Sequence, residues 1–564
     1  MLYRSVLLIL ASRVVAFGFA DGPGPALRAV DYLDLPSSIA ALKVIHPASI
    51  AMAVGEFEPL AILITAGGAL DGAKLEIANL PKGISVQLYR ITEHSRVLVR
   101  GDKRLASQPY FLEQSPSVSL RAGEESVYYV VFRTDEATPA GAYDLRLGLD
   151  GAILPIHLEV YPFRLRRADP FFFGAFCSGK DTNITPRHLA DLHDHGFDAL
   201  QFFWGAVSVG LSNQNGKLVI DFSTVDQWIR EFQAAGLRGP LVWSMGNDSK
   251  SFLENRLSQL FSLPKEAPPP NNKGCDRLRD FSDIHNPELN RLLKQLLLAI
   301  RDHARAQAWP EIVILIYDEP TECLMEEHEN RYQFIKSFWP EVRIYGVTMN
   351  RIEWAKAVQH MVDIFVANGD YRAIRKLDDE SGKPFWAYSG VSSRDAAGIR
   401  HTQAWQPWKF KAEASWFWAY NYYYGDPYND LDGSPDSTAS VVWPPRRPGG
   451  PLVGSVSWEG LREAVDDMRY LRTLEWMLAQ SNPPAAASIR TSLEALREAV
   501  PQGRPLRLIE GNEHDNVNAV DQSKYVEQYR RKVAGWIREL LEAQPAEFPE
   551  IRAGAVAASS RRER

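Results

Sequence analysis

Apolar and polar positions alternate with a period of two through the opening third of the chain. The clearest segments are Glu58–Ile64, Ser85–Tyr89, Ser126–Phe132, Tyr143–Leu149 and Ile153–Val160. Turn chemistry separates them at Gly67-Gly68, Asp71-Gly72, Pro81-Lys82-Gly83 and Thr138–Gly141. Short strands at regular spacing with such turns predict a β-sandwich over residues 25–165. From about Pro170 the pattern changes to continuous apolar runs separated by amphipathic stretches. The runs are Phe171–Phe176, Ala199–Trp204, Leu241–Met245, Ile312–Tyr317, Ile344–Thr348, Ile364–Ala367, Phe385–Tyr388 and Ser415–Tyr420. Strands that are apolar on both faces belong in a parallel sheet covered by helices. Thr224–Ala235, Glu288–Ala306 and Arg331–Phe338 supply helical periodicity between them. Eight runs alternating with helices predict a (β/α)8 TIM-like barrel over residues 168–456. A doubly wound open sheet is the alternative. Pro268–Asn272 reads as an inserted loop.

Past Ser457 the pattern is helical. Leu461, Val465, Met468, Leu471, Leu474 and Leu478 share one face, and Ala485–Val500 and Gln522–Leu541 suggest two more helices. A C-terminal helical subdomain is expected over residues 457–545, with a loose tail at 546–564. The start of the chain has a different character. Arg4 precedes Val6–Ala11, and Gly18-Phe19-Ala20 sets small residues at −3 and −1 of a cleavage point. Residues 1–20 therefore read as a signal peptide, and the protein is expected to be exported to the periplasm or beyond.

Composition narrows the classes. The 564 residues are 45% apolar and 24% charged, ordinary values for globular domains. A net charge of −7 gives no footprint for nucleic acid. No later segment has the 18 consecutive apolar residues of a membrane span. Three cysteines without CxxC spacing argue against both a disulfide framework and a zinc site. The excess is aromatic: seven of the 15 Trp lie between Trp386 and Trp458.

One apolar run ends in Tyr317-Asp318-Glu319-Pro320. In a barrel, residues at the C-terminal ends of strands face the active-site mouth. A conventional retaining glycosidase sets its two carboxyl groups about 5–5.5 Å apart, usually on different strands. The seventh run, Phe385–Gly390, ends without a carboxylate. Adjacent carboxylates fit substrate assistance better. There a sugar's own 2-acetamido oxygen attacks the anomeric carbon, one carboxyl protonates the leaving oxygen, and the other steadies the N–H of the forming oxazolinium. Asp370, after the sixth run, is the fallback acid.

Tyr317-Asp318-Glu319-Pro320 at a strand end resembles glycoside hydrolase family 123, the β-N-acetylgalactosaminidases, and their uncharacterised relatives. Trp416–Tyr423, Asp426-Pro427, Trp458–Leu471 and Gly55-Glu56-Phe57-Glu58-Pro59 are similar to that group as well. Ser457 and Ala464 stand where the family pattern has Arg and Gly. The resemblance implies Glu319 as general acid/base and Asp318 as the residue orienting the acetamido group. Removal of a β-linked N-acetylhexosamine, N-acetylgalactosamine above others, is then the expected activity. A non-catalytic glycan-binding barrel and a conventional glycosidase on an unmodified sugar are the alternatives.

Aromatic planes pack apolar sugar faces while amides bind hydroxyls, the usual mix of a concave site. Trp204, Trp243, Tyr317, Tyr388, Trp416 and Trp418 are therefore expected to bind substrate, with Asn350, Asn368 and Asn421. Trp405 and Trp408 are expected to pack. The partner is a glycan or glycoconjugate, homo-oligomers are compatible with the sequence, and no metal or cofactor is expected. Gly174–Lys180 has P-loop spacing, but Asp181 replaces the Ser or Thr that Mg²⁺ requires. His188, His193 and His195 lack metal-ligand pairing and read as solvated or capping residues. Cys177 has no organised His partner and is expected to pack.

Overall fold

The computed structural model describes residues 24–33, 35, 41–97, 105–178, 184–203, 209–247, 250–264, 285–316, 318, 325–348, 356–368, 371–390, 396–422, 427–428, 440–481, 484–502, 525–544 and 546–553. The expected signal peptide and the Pro268–Asn272 loop lie outside these residues. So do Trp204, Tyr317, Glu319, Asn350 and Asp370.

Two sheets pack face to face at the start of the chain. The larger orders Ala26–Val30, Phe57–Thr65, Glu125–Thr134, Ile84–Val97 and Leu105–Gln114 as antiparallel neighbours. The smaller orders Ala48–Val54, Ala152–Arg164, Gly141–Leu149 and Glu76–Ala78. Alternate residues of both, such as Ile62, Ile64, Val130 and Phe132 against Leu145, Leu147, Ile156 and Leu158, meet in one core. Period-two patterning produces this directly, because one face of each strand must leave water. Two features were not legible in the alternation. Ala48–Val54 runs parallel to Ala152–Arg164, and the free edge of Leu105–Gln114 is continued by Gly454–Ser455 from far along the chain.

The eight apolar runs form a closed parallel barrel. Its strands are Phe172–Ser178, Ala199–Phe203, Leu241–Ser244, Ile312–Leu315, Arg343–Thr348, Ile364–Asn368, Phe385–Gly390 and Ala414–Trp418. The first pairs with the eighth through Phe172↔Ala414 and Gly174↔Trp416, which closes the ring. An open sheet is thereby excluded. Phe176, Val242, Val313, Leu315, Tyr345, Val366, Trp386 and Trp416 fill the lumen, whereas the alternate residues face the surrounding helices. Both faces are dry, so the strands had to be apolar throughout.

Gly174 is fixed by this packing. The Trp416 ring lies over it, and a Cβ at Gly174 would meet Trp416 Cε3 at 2.3 Å. Trp416 is itself stacked on Trp386, with ring centroids 5.5 Å apart, so neither ring has room to retreat. Gly174→Ala is expected to destabilise the fold by about 1–3 kcal/mol through overpacking. Thermal unfolding followed by circular dichroism checks this, and an unchanged midpoint would contradict the described lumen packing.

The long helix Val456–Gln480 begins where Ser455 Oγ accepts the Trp458 N–H at 3.1 Å, a side-chain cap. Its apolar stripe is buried as expected, but so are Glu459, Arg462, Glu463, Asp466 and Asp467 on the other side. The helix is not a surface helix. It lies between the barrel and the N-terminal sheets, so both its faces leave water. Pro484–Ala499 and Val526–Ala543 complete the helical layer. Among the described residues, no helix is long and apolar enough to cross a membrane.

Candidate active site at the barrel mouth

The C-terminal ends of the barrel strands gather an aromatic floor. Phe176 and Tyr388 meet edge to face with centroids 5.0 Å apart. Trp418 lies 5.9 Å from Phe176 and 4.6 Å from Tyr422. Tyr388 and Trp418 keep partial exposure, so the floor is open above. Alternation places them: Tyr388 and Trp418 share inward parity with Trp386 and Trp416 one layer down. The Tyr388 carbonyl accepts the Tyr371 hydroxyl at 3.1 Å, which ties the seventh strand to the helix that precedes it.

Asp318 stands just past the fourth strand, at the same end of the barrel and half-buried. Beneath it, Tyr345 on the fifth strand is wholly buried and donates its hydroxyl to Gln201 Oε1 on the second strand, across the lumen. Burial, then the charge of Asp318, then Tyr388, push the Tyr345 phenol well above its ordinary range. Asp318, Tyr345, Gln201, Tyr388 and Phe176 thus form one neighbourhood. Gln201 and Tyr345 were missed in the sequence. The available signal was a single amide, Gln201, inside an otherwise apolar strand run.

Three expected substrate contacts are corrected. Trp243 has outward parity, since its neighbour Val242 points into the lumen. It packs in the outer layer and stacks on Trp309, centroids 6.5 Å apart and 14° between planes. Trp416 is 1% exposed and fills the lumen below the floor. Asn421 is likewise 1% exposed. Asn368 ends the sixth strand, but its side chain lies outside the described residues.

The residues set aside on chemical grounds are structural. Cys177 faces the outer layer, and burial alone pushes its thiol upward, away from the reactive thiolate. His188 completes a capping box with Thr185. His195 stacks on Trp458 at 4.1 Å and is held by Glu459 and Arg462. Trp405 and Trp408 are buried and donate to Asp467 at 3.0 Å and Glu475 at 2.7 Å.

A second polar cluster lies away from the mouth. Glu56 and Glu58 of the N-terminal sheets meet Glu463 and Asp467 of the long helix around Arg530 of the last helix. Glu58, Glu463 and Glu527 bring carboxylate oxygens within 4.8 Å of one another, a spacing open to a metal ion. Arg530 Nη1 already stands 2.7 Å from Glu463 and 3.1 Å from Glu58, and Arg400 binds Glu527, so guanidinium groups serve as the cations there. Two of the motifs that carry the family resemblance, Gly55–Pro59 and Trp458–Leu471, therefore belong to an internal junction. Asp318 of the Tyr317–Pro320 motif and Trp418 of the Trp416–Tyr423 motif stand at the mouth.

Comparison with known proteins agrees with this architecture. Residues 207–474 match the catalytic domain of glycoside hydrolase family 123. A family 123 glycoside hydrolase from Clostridium perfringens superposes with a TM-score of 0.67 at 12% identity, covering 92% of this chain and 100% of that one. A family 39 glycoside hydrolase from Bacteroides cellulosilyticus WH2 is matched over 75% of this chain and 82% of its own, at 11% identity and a TM-score of 0.36. No curated protein matches the sequence. Over residues 207–474 the chain thus matches the catalytic domain of glycoside hydrolase family 123, on a fold shared with a solved family 123 enzyme.

Proposed function

We propose that the barrel mouth removes a β-linked N-acetylhexosamine, N-acetylgalactosamine above others, by substrate-assisted retaining hydrolysis. The observation that carries this reading is the position of Asp318 at the C-terminal end of the fourth strand, with Glu319 next in sequence. The seventh strand ends at Gly390, with no carboxylate for a conventional nucleophile. In this mechanism Glu319 protonates the departing glycosidic oxygen and later takes a proton from the attacking water. Asp318 accepts the acetamido N–H and offsets positive charge as the oxazolinium forms. Tyr388 and Trp418, partly exposed and backed by the buried Phe176 and Tyr422, offer an apolar surface for one sugar face. The Clostridium perfringens enzyme is described in connection with glycolipid glycan hydrolysis. Glycolipid glycans are accordingly the natural substrates to try first. Residues 1–20 would direct the protein out of the cytoplasm, and an intact Met1 on cytoplasmic material would end that part of the reading.

Turnover of three aryl glycosides separates the readings. An N-acetyl-β-galactosaminide should be cleaved faster than the N-acetyl-β-glucosaminide, and the plain β-galactoside should resist, since it lacks the internal nucleophile. Equal cleavage of the plain galactoside would favour a conventional mechanism. Sugar binding without any turnover would favour a non-catalytic glycan-binding barrel.

A further inference from the structure

Gln201 is out of character with its surroundings. It is wholly buried on the second strand, paired in register with Phe176 and Val242, which both face the lumen. A buried amide is costly unless its donors and acceptor are paired. Gln201 Oε1 takes the Tyr345 hydroxyl, but Nε2 then has no partner. The two ends of the amide have nearly the same shape and exchange by a half-turn, so the hydrogen-bond network decides which end faces the phenol. With the amide turned, Nε2 donates to Tyr345 Oη and the orphaned donor disappears. The phenol's own proton is then available to another acceptor. Asp318 is the formal charge acting on that phenol, and it follows the fourth strand, whose Leu315 is paired with Tyr345. Tyr388 on the seventh strand is the other titratable group acting on Tyr345. The Trp386 ring, 5.8 Å away, closes the space on the sixth-to-eighth-strand side.

We propose that Gln201 and Tyr345 form a positioning relay, Gln201 Nε2–H to Tyr345 Oη and Tyr345 Oη–H toward the Asp318 carboxylate, that holds Asp318 ionised and aimed during hydrolysis. The proposal rests on the reading of the barrel mouth given above. Both residues are buried below the floor and act through Asp318, so they are positioning residues. A donor to the charged form of a carboxylate lowers its pKa, and removing that donor raises it.

Tyr345→Phe deletes only the hydroxyl. It is expected to lower kcat roughly ten- to a hundredfold, the range for a hydrogen bond to a charged group, with KM within about twofold. The acid limb of kcat/KM should move up by about one pH unit, because Asp318 must then lose its proton unaided. Gln201→Leu should shift both quantities in the same direction by less. The double variant replaces the pair with apolar shapes. It should be no slower than Tyr345→Phe and no less stable, because it leaves no polar group orphaned. A double-mutant cycle of Tyr345→Phe and Asp318→Asn, read from urea-unfolding midpoints, tests the link without any turnover. Non-additive midpoints are expected. Additive midpoints, or a Tyr345→Phe enzyme with wild-type kcat and pH profile, would overturn the relay. If the wild-type protein cleaves no glycoside, the reading of the mouth falls, while the cycle still decides whether Tyr345 and Asp318 are joined.

Discussion

Glu319→Gln is expected to slow hydrolysis of natural glycosides by roughly 10²–10⁴-fold while largely sparing aryl glycosides with activated leaving groups. The difference follows from what each leaving group needs. A sugar alkoxide cannot depart without a proton, whereas an activated phenolate can. Asp318→Asn should slow both substrate types, because it disturbs the acetamido nucleophile that they share. An amide cannot carry the negative charge that offsets the oxazolinium, so the loss falls in the transition state and appears in kcat. The wild-type rate should be bell-shaped in pH, with Asp318 ionised and Glu319 protonated at the maximum. Paired assays on a natural glycan and an activated aryl N-acetylgalactosaminide measure all of this. Full turnover of both substrates by both variants would rule out the adjacent-pair mechanism. Asp370 would then be the next carboxylate to replace.

Arg530→Ala is expected to be the most damaging single change away from the mouth, at about 3–5 kcal/mol. Its guanidinium binds Asp467 at 2.7 Å, Glu463 at 2.7 Å, Glu58 at 3.1 Å and the Glu463 carbonyl at 2.6 Å, all buried. Removing it leaves several carboxylates facing one another without their cation. The same cluster sets a pH dependence. Burial, then the charge of Asp466, raises Glu56 to about 8, and burial raises Glu463 to about 7 against the pull of Arg530 and Arg400. In the unfolded chain both return to ordinary values near 4.5. Between about pH 4.5 and 8 the folded protein thus holds protons that the unfolded chain has released, and stability from these two groups falls as pH rises. Glu527 behaves oppositely. Burial works upward on it, but Arg400 and Arg530 outweigh that and hold it at about 2. Its contribution is present above pH 4.5 and is lost as pH falls toward 2. Melting midpoints should therefore peak on the mildly acidic side. A midpoint that is flat from pH 5 to 8, or an Arg530→Ala protein as stable as wild type, would contradict this account.

The barrel was legible because a strand covered on both faces has no freedom in composition. All eight runs, from Phe171–Phe176 to Ser415–Tyr420, became barrel strands, and the strand-end rule placed Asp318 at the mouth. Which face a strand residue takes was less legible. In a run apolar on both sides, parity cannot be read locally: the strand-end rule points Trp243 to the mouth, whereas it packs outward on Trp309. Trp416 was misplaced for a related reason. A strand sequence does not reveal depth along the barrel axis, and this ring lies one layer below the floor.

Residue patterning along the chain accounts for the local elements: period-two strands, doubly apolar strands, an amphipathic C-terminal helix and two adjacent acids after a strand run. Each follows from burial of neighbouring residues on one element. What the polar face of Val456–Gln480 meets, the continuation of an N-terminal sheet by Gly454–Ser455 and the pairing of Gln201 with Tyr345 across the lumen come from how the chain folds back on itself. Asp467 and Arg530 stand 63 positions apart, Gln201 and Tyr345 144, and Glu58 and Arg530 472. These contacts depend on how the barrel closes and how the sheets dock on it. Local patterning carries no information about partners at such separations, because a buried charge or amide is tolerated only once the distant group that pairs with it has arrived.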